Sequence, residues 1–95
     1  MAKLIDFQNE VGTWGDEIFT EAHPDSIVAH LRREVKELGE SHQPEESADC
    51  LLLLLHHAHQ SGYDLLEEMK KKFEIVKKRK WGPPDAEGVV EHIKE

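Results

Sequence analysis

Five consecutive leucines near the middle of the chain constrain its fold more than any other feature. The run at 51–55 lies between Pro44, which suits the first turn of a helix, and Gly62, which suits a helix end. Five successive helical residues cover every face of the helix, so this helix is predicted to be buried on all sides. A chain of 95 residues forms one small domain with a limited core. We therefore expect a second subunit to complete the core.

The rest of the apolar pattern also predicts helices and no strand. Apolar residues recur at helical spacing over 24–39 and over 63–80, and a short helix over 2–11 is expected to break at Trp14-Gly15-Asp16. Pro24 marks a helix start, with Asp25 or Ser26 as its cap. Alternation never persists, and β-branched residues are few. The expected fold is one all-α domain over 1–95, a small helical bundle completed by dimerisation, with 83–95 as a C-terminal tail.

Two pairs of carboxylates with the same spacing lie on consecutive predicted helices. Glu34 and Glu37 are three residues apart, and so are Glu46 and Asp49. Residues three apart share one face of a helix, and the second pair shares its face with Leu53. Carboxylates beside a buried face are costly to desolvate unless they are paired or bind a metal. Because hard cations such as Mg²⁺ prefer oxygen ligands, the spacing suits a metal site and two solvated acidic faces equally well.

Charge is distributed unevenly along the chain. The net charge of -8 argues against a general nucleic-acid binder. The segment 70–80 nevertheless holds seven of the twelve Lys and Arg residues, with Glu74 as its one acidic residue. Lys72 and Arg79 lie at the edge of the apolar stripe of their predicted helix and could contact phosphate oxygens, with Lys80 as a further candidate. A solvated helix end, favoured by the helix dipole, is the other interpretation of these lysines.

Aromatic and histidine side chains supply further candidates for substrate contacts. An aromatic ring can stack on a nucleobase, although packing in the core or at an interface is the alternative for each of Trp14, Phe19 and Trp81. His30 lies one turn before Glu34, where it could orient a ligand or contact substrate, and a capping or surface role is the alternative. The histidines at 56, 57 and 59 are predicted to project in different directions, and they lack the i, i+4 pair typical of zinc sites.

No membrane segment or secretory signal is predicted. Residues 1–11 lack the apolar core of a secretory signal, and the leucine run is too short to cross a bilayer. We therefore expect a cytoplasmic protein, with no membrane or nucleic-acid polymer as a partner.

Taken together, the motifs resemble those of the MazG-like nucleoside triphosphate pyrophosphohydrolases of the all-α NTP pyrophosphatase superfamily. The resemblance covers 24–82 and is carried by the segments HLRREVKEL at 30–38, ESAD at 46–49 and RKWG at 79–82. Such enzymes cleave nucleoside triphosphates, often deoxy or non-standard ones, to the monophosphate and pyrophosphate. The resemblance implies Mg²⁺ as cofactor, with Mn²⁺ as a substitute, and assembly as a homodimer or a dimer-of-dimers tetramer.

The resemblance also implies roles for individual residues. The implied metal ligands are Glu34, Glu37, Glu46 and Asp49. Mg²⁺ ions held there would bridge the phosphates and lower the pKa of a bound water that attacks the α-phosphate. Glu37 is the candidate general base. The candidates for substrate binding are Lys72, Arg79, Lys80, Trp14, His30 and Trp81.

Three departures from the family pattern leave other functions open. Arg33 stands where the family usually has a further Glu, and Val76 stands where an Asn commonly precedes the R-x-W ending. A non-catalytic helical dimerisation or regulatory module would show such losses, whereas a phosphohydrolase releasing inorganic phosphate would differ only in its products. The short segment between the acidic motifs suggests a compact subgroup. The implied role of an active enzyme is nucleotide-pool control or house-cleaning in the cytoplasm, or in the host cytoplasm for a viral protein.

Overall fold

The computed structural model describes residues 3–93, which form four α-helices. Helix α1 spans Leu4–Ile18, α2 spans Pro24–Ser41, α3 spans Pro44–Ser61 and α4 spans Leu65–Lys77. Helix α3 is central because it packs against α1 and α2 and also contacts α4, whereas α2 and α4 do not pack against each other. Within residues 3–93 the extended pairing is limited to one isolated bridge between Trp81 and His92. The predicted all-α class is confirmed.

Helix α2 begins at the predicted proline but has a different cap. Pro24 is its first residue, and the N-cap is His23, whose Nδ1 accepts a hydrogen bond from the backbone N–H of Ser26 at 3.3 Å. The Oγ of Ser26 accepts in return from the backbone N–H of His23 at 2.9 Å. The expectation that Asp25 or Ser26 would be the cap is therefore wrong, because Pro24 fixes the first helical position and the cap must precede it.

The helix ends follow local backbone chemistry. Gly62 ends α3 as predicted, with a φ of 78°, in the left-handed region that glycine adopts without strain. Helix α2 continues past Gly39, its predicted end, and is closed by His42 with a φ of 55°. Helix α4 begins later than predicted, because Asp64 is its N-cap and accepts from the backbone N–H of Glu67 at 3.2 Å.

Helix α1 does not break at Trp14-Gly15-Asp16, contrary to the sequence-based prediction. It passes through Gly12 and Gly15, both of which are buried against α3. A Cβ atom at Gly15 would lie 2.6 Å from Cε1 of His56, and one at Gly12 would overlap the ring of His59. The glycines therefore permit a close approach of two helices, which is a tertiary cause that local sequence does not reveal. His56 and His59 consequently face the same helix, so the prediction of three diverging histidines is wrong for this pair.

The leucine run is only partly buried within one chain. Leu55 is buried and Leu53 is half-buried, whereas 46, 40 and 36% of the surface is exposed for Leu51, Leu52 and Leu54. The prediction that α3 is buried on all sides is thus not met by a single copy. Within the described part of the chain, no helix has the length and apolar character to cross a bilayer.

The C-terminal tail folds back on itself after α4. The backbone N–H of Gly82 donates to the carbonyl of Glu91 at 2.9 Å, and that of Ile93 donates to the carbonyl of Lys80 at 2.8 Å. Residues 80–93 thus form a closed loop next to the end of α4.

Candidate metal centre

Carboxylates from α2 and α3 converge where these two helices pack. One ligand oxygen from each of Glu34, Glu46 and Asp49 lies within 4.8 Å of the others. The i, i+3 spacing places Glu46 and Asp49 on one face of α3, and that face meets the face of α2 that carries Glu34. Three oxygen donors at this separation are the ligand set that a hard divalent cation prefers.

One oxygen of these carboxylates lacks a hydrogen-bond donor among the described residues. Oε2 of Glu46 is buried and has no hydrogen-bond partner among residues 3–93. Burial raises the pKa of Glu46 above its usual value of 4.5, and the charges of Glu37, Asp49 and Glu34 raise it further. A buried acceptor without a donor is unfavourable, and a cation would satisfy it. The residues therefore fit a bound divalent metal.

Glu37 lies beside Glu34 but does not belong to the group of three carboxylates described above. A hydrogen bond shared with Glu37 is the largest cause of a raised pKa for Glu34, followed by burial and by the charges of Glu37 and Asp49. Glu37 itself is exposed. We call Glu34, Glu37, Glu46 and Asp49 the acidic cluster, since the structure brings all four predicted metal ligands together.

An aromatic cavity opens beside the acidic cluster. Its volume is about 480 Å³, and its lining includes Trp14 and Phe19 from α1 and its C-terminal end, His30 from α2, and the carboxylates Glu34 and Asp49. The rings of Trp14 and Phe19 meet edge to face with centroids 5.6 Å apart, and those of Phe19 and His30 at 6.5 Å. Nε2 of His30 lies 3.2 Å from Oε1 of Glu34. A row of rings thus leads from α1 to the acidic cluster.

The basic candidates lie elsewhere in a single chain. None of Lys72, Arg79, Lys80 and Trp81 lines this cavity among the described residues, and α4 does not pack against α2. Lys72 is exposed and Arg79 is half-buried. Three other lysines form ion pairs along α4 itself, which supports the solvated interpretation for them: Lys70 with Glu67, Lys71 with Glu68, and Lys77 with Glu74.

Sequence reasoning missed how much of the cavity α1 supplies. Phe7 and Val11 line it together with Trp14, and so do Gly15 and, from α3, His56. The sequence does contain a signal for this packing: two glycines on one helix and two histidines on another have the same spacing of three residues. The signal can be interpreted only once the two helices are known to be in contact.

Comparison with known proteins decides the family. The sequence model for the dATP/dGTP pyrophosphohydrolases matches residues 7–95. The chain belongs to this family. A relative, the dATP/dGTP diphosphohydrolase of cyanophage S-2L, is 32% identical over 95 residues, covering 97% of this chain and 90% of the relative. The solved cyanophage S-2L MazG-like pyrophosphohydrolase, bound to dGDP and three catalytic Mn²⁺ ions per active site, matches with a TM-score of 0.83 and 30% identity, over 99% of this chain and 96% of that one.

Family membership confirms the resemblance to MazG-like enzymes. This dATP/dGTP pyrophosphohydrolase family member is a hydrolase of phosphoric anhydrides that cleaves nucleoside triphosphates with the help of divalent metal. The departures at Arg33 and Val76 lie inside the matched residues 7–95, so they do not separate the chain from the family. The alternative of a non-catalytic module is therefore not favoured.

Proposed function

We propose that this protein hydrolyses the purine deoxynucleoside triphosphates dATP and dGTP to the monophosphate and pyrophosphate, with Mg²⁺ or Mn²⁺ at the acidic cluster. The observation that carries the proposal is an aromatic cavity lined by Glu34 and Asp49, which belong to a group of three carboxylates with oxygens within 4.8 Å of one another. A purine in the aromatic part would direct its triphosphate toward the carboxylates. The choice of base is supported by the name and bound nucleotide of the cyanophage S-2L relatives.

The residues of the acidic cluster divide the chemical work. Glu34, Glu46 and Asp49 would hold divalent cations, because their oxygens lie closest together. When bound, such cations neutralise phosphate charge and lower the pKa of a coordinated water. Glu37, at the exposed edge of the cluster, would accept the proton of the attacking water. Attack at the α-phosphorus breaks its bond to the bridging oxygen, and pyrophosphate leaves.

Trp14 and His30 would bind the nucleotide from within the cavity. Both line it, and His30 also lies 3.2 Å from the metal-ligand candidate Glu34. Trp14 would stack on the base, since an aromatic face accommodates any nucleobase. His30 would orient Glu34 or contact a phosphate oxygen.

A homodimer, or a dimer of such dimers, would supply the remaining contacts. Lys72, Arg79 and Lys80 would neutralise the phosphates, with Trp81 beside them, yet α4 does not pack against α2 in one chain. A second copy that covers the exposed leucines of α3 would bring its own α4 toward the acidic cluster. The partner's basic residues would then face the phosphates across the interface.

The proposed role is control of a deoxynucleotide pool in the cytoplasm, or in the host cytoplasm for a viral protein. The substrate class supports this location, because nucleoside triphosphates are substrates of intracellular polymerases.

The test is a substrate panel with product analysis. The standard dNTPs and NTPs are incubated with Mg²⁺ or Mn²⁺, and monophosphate plus pyrophosphate is separated from diphosphate plus phosphate. We expect pyrophosphate from dATP and dGTP, and a loss of at least about a hundredfold in Asp49→Ala. Glu45→Ala, an exposed neighbour in the first turn of α3, is the matched control.

Three other outcomes of this experiment would contradict the proposed reaction or its substrate preference. Release of inorganic phosphate and a diphosphate would favour the phosphohydrolase alternative. The cyanophage relative binds dGDP, which is the diphosphate that such a reaction would form from dGTP. Equal turnover of all bases would contradict the purine preference. Absence of turnover with every substrate and both metals would overturn the proposed activity.

A further inference from the structure

A buried histidine next to the cavity has no role in the mechanism above. The side chain of His56 is only 4% exposed, and its Nε2 lies 2.8 Å from Oδ1 of Asp16 on α1. The same Oδ1 accepts a hydrogen bond from Nε2 of Gln60 at 2.8 Å, and this amide also donates to the carbonyl of Ala22 at 3.0 Å. We call Asp16, His56 and Gln60 the Asp16 network. It joins the C-terminal end of α1 and the turn after it to α3.

The hydrogen-bond donors and acceptors of this network can be assigned. Hydrogen bonds from Gln60 and then from His56 hold the pKa of Asp16 below its usual value of 3.8. Asp16 is therefore an ionised acceptor at neutral pH, and Nε2 of His56 carries the proton that points to it. The remaining polar atom of the ring is Nδ1, which is an acceptor when His56 is neutral.

The network adjoins the aromatic cavity through His56, the one member of the three that lines it. His56 and Gly15 both line this cavity, and Gly15 lies between Trp14 and Asp16 in the chain. The missing side chain at Gly15 allows the ring of His56 to approach, since a Cβ there would lie 2.6 Å from Cε1. The bond that fixes Asp16 therefore also fixes the turn of α1 that carries Trp14.

We propose that His56 contacts and orients the nucleobase of the substrate as a specificity-determining residue. Asp16 and Gln60 hold its ring in place as positioning residues. The inference rests on the proposed function, because it assumes a nucleotide whose phosphates lie at the acidic cluster. The base is the planar, apolar part of that ligand, and Trp14 and Phe19, which line the cavity, offer it stacking partners. An acceptor at Nδ1 suits the amino group of adenine and the N1–H and amino group of guanine.

Equilibrium binding separates base recognition from phosphate recognition. The probes are a dGTP analogue with an imido link between the α- and β-phosphates, and inorganic tripolyphosphate, each with Mn²⁺ and measured by titration calorimetry. We expect Asp16→Ala to weaken binding of the dGTP analogue by about tenfold and to leave tripolyphosphate binding within about twofold. Asp16→Asn keeps an acceptor oxygen and should retain most of the affinity.

The matched control is Glu17→Ala, because Glu17 is the exposed carboxylate next to Asp16 on α1. It should change neither affinity. Equal weakening of both probes in Asp16→Ala would show a purely structural role and overturn the inference, as would unchanged binding of the dGTP analogue. If the unmodified protein binds tripolyphosphate but not the analogue, the inference is wrong while the phosphate site stands. Binding of neither probe would contradict the proposed function as well.

Discussion

Among single residues, Glu46 carries the clearest mark of a cation site. Its Oε2 is buried without a partner among the described residues, and its pKa is raised by burial and by neighbouring carboxylates. Both features are unfavourable for the fold on their own, and both are relieved when a cation binds. The same arrangement therefore lowers stability and creates function, as is common at active sites.

Replacement of this carboxylate should have opposite effects on stability and activity. We expect Glu46→Gln to raise the melting temperature of the metal-free protein by a few degrees, because it removes one of the crowded charges. Turnover with Mn²⁺ should fall by at least about a hundredfold, because a ligand is lost. Glu45→Gln, on the adjacent exposed position, should do neither. Thermal unfolding in chelator and a turnover assay test both parts, and a lower melting temperature for Glu46→Gln would contradict the explanation.

The pH dependence of stability follows from the same carboxylates. The pKa values of Glu34 and Glu46 in the folded protein lie above 4.5, so between 4.5 and those values the folded state holds protons that the unfolded chain has released. This contribution to stability is fully present below pH 4.5 and is lost as the pH rises through the raised pKa values.

Metal-free melting temperatures of the unmodified protein and Glu46→Gln should therefore diverge as the pH rises through this window. Asp16, whose pKa is lowered, affects both proteins equally and cancels in the difference. The measurement is thermal unfolding in chelator over a pH series that starts near 4. If the difference between the two melting temperatures narrows with rising pH, the pKa values of these carboxylates are not raised in the folded state.

At the level of elements, the two glycines of α1 act through a neighbouring helix. Gly15 costs helix propensity, yet it allows α1 to approach α3 closely enough for His56 to reach Asp16. Gly39 in α2 has no such contact, since no atom would lie within 4 Å of an added Cβ. A substitution at Gly15 therefore tests tertiary packing, whereas the same substitution at Gly39 tests only the helix propensity of the residue.

Alanine at these two glycines should change stability in opposite directions. We expect Gly15→Ala to destabilise the protein by about 1–3 kcal/mol, because the new methyl group would overlap the ring of His56. Gly39→Ala should stabilise it by about 0.5–1 kcal/mol, since it restricts the unfolded chain and meets open space. Urea unfolding provides both free energies. Stabilisation by Gly15→Ala would indicate that α1 and α3 are farther apart than described.

Local signals were sufficient for three helices and for the acidic cluster. Prolines at 24 and 44 and the glycine at 62 mark helix limits, and the i, i+3 spacing alone places each acidic pair on one face. The cavity could not be predicted in the same way, because it depends on contacts such as that between Asp16 and His56, which are 40 residues apart. A helix through Gly12 and Gly15 is favourable only once α3 is beside it.

At the scale of the whole molecule, one copy exposes more surface than a compact protein of its size. Its accessible area is 7462 Å², against about 5,600 Å² expected for a compact monomer of 10.9 kDa. Its radius of gyration is 15.7 Å, against about 12.4 Å expected for a compact 95-residue domain. Part of the exposed apolar surface lies on α3, where Leu51 and Leu54 are exposed and neither lines the cavity. The proposed homodimer would cover some of this apolar surface.

Mixing two inactive variants tests whether the proposed site is shared between copies. Asp49→Ala removes a metal ligand from α3, and Arg79→Ala removes a phosphate contact after α4. If each site takes its carboxylates from one copy and Arg79 from the other, a mixed dimer contains one site with both groups intact. Random exchange then restores about a quarter of the unmodified activity, since half of the dimers are mixed and each has one intact site in two. Each variant refolded alone is the control. Activity that stays at the level of the separate variants, despite exchange shown by mass spectrometry of differently labelled copies, would place Arg79 and the acidic cluster of each site in the same chain.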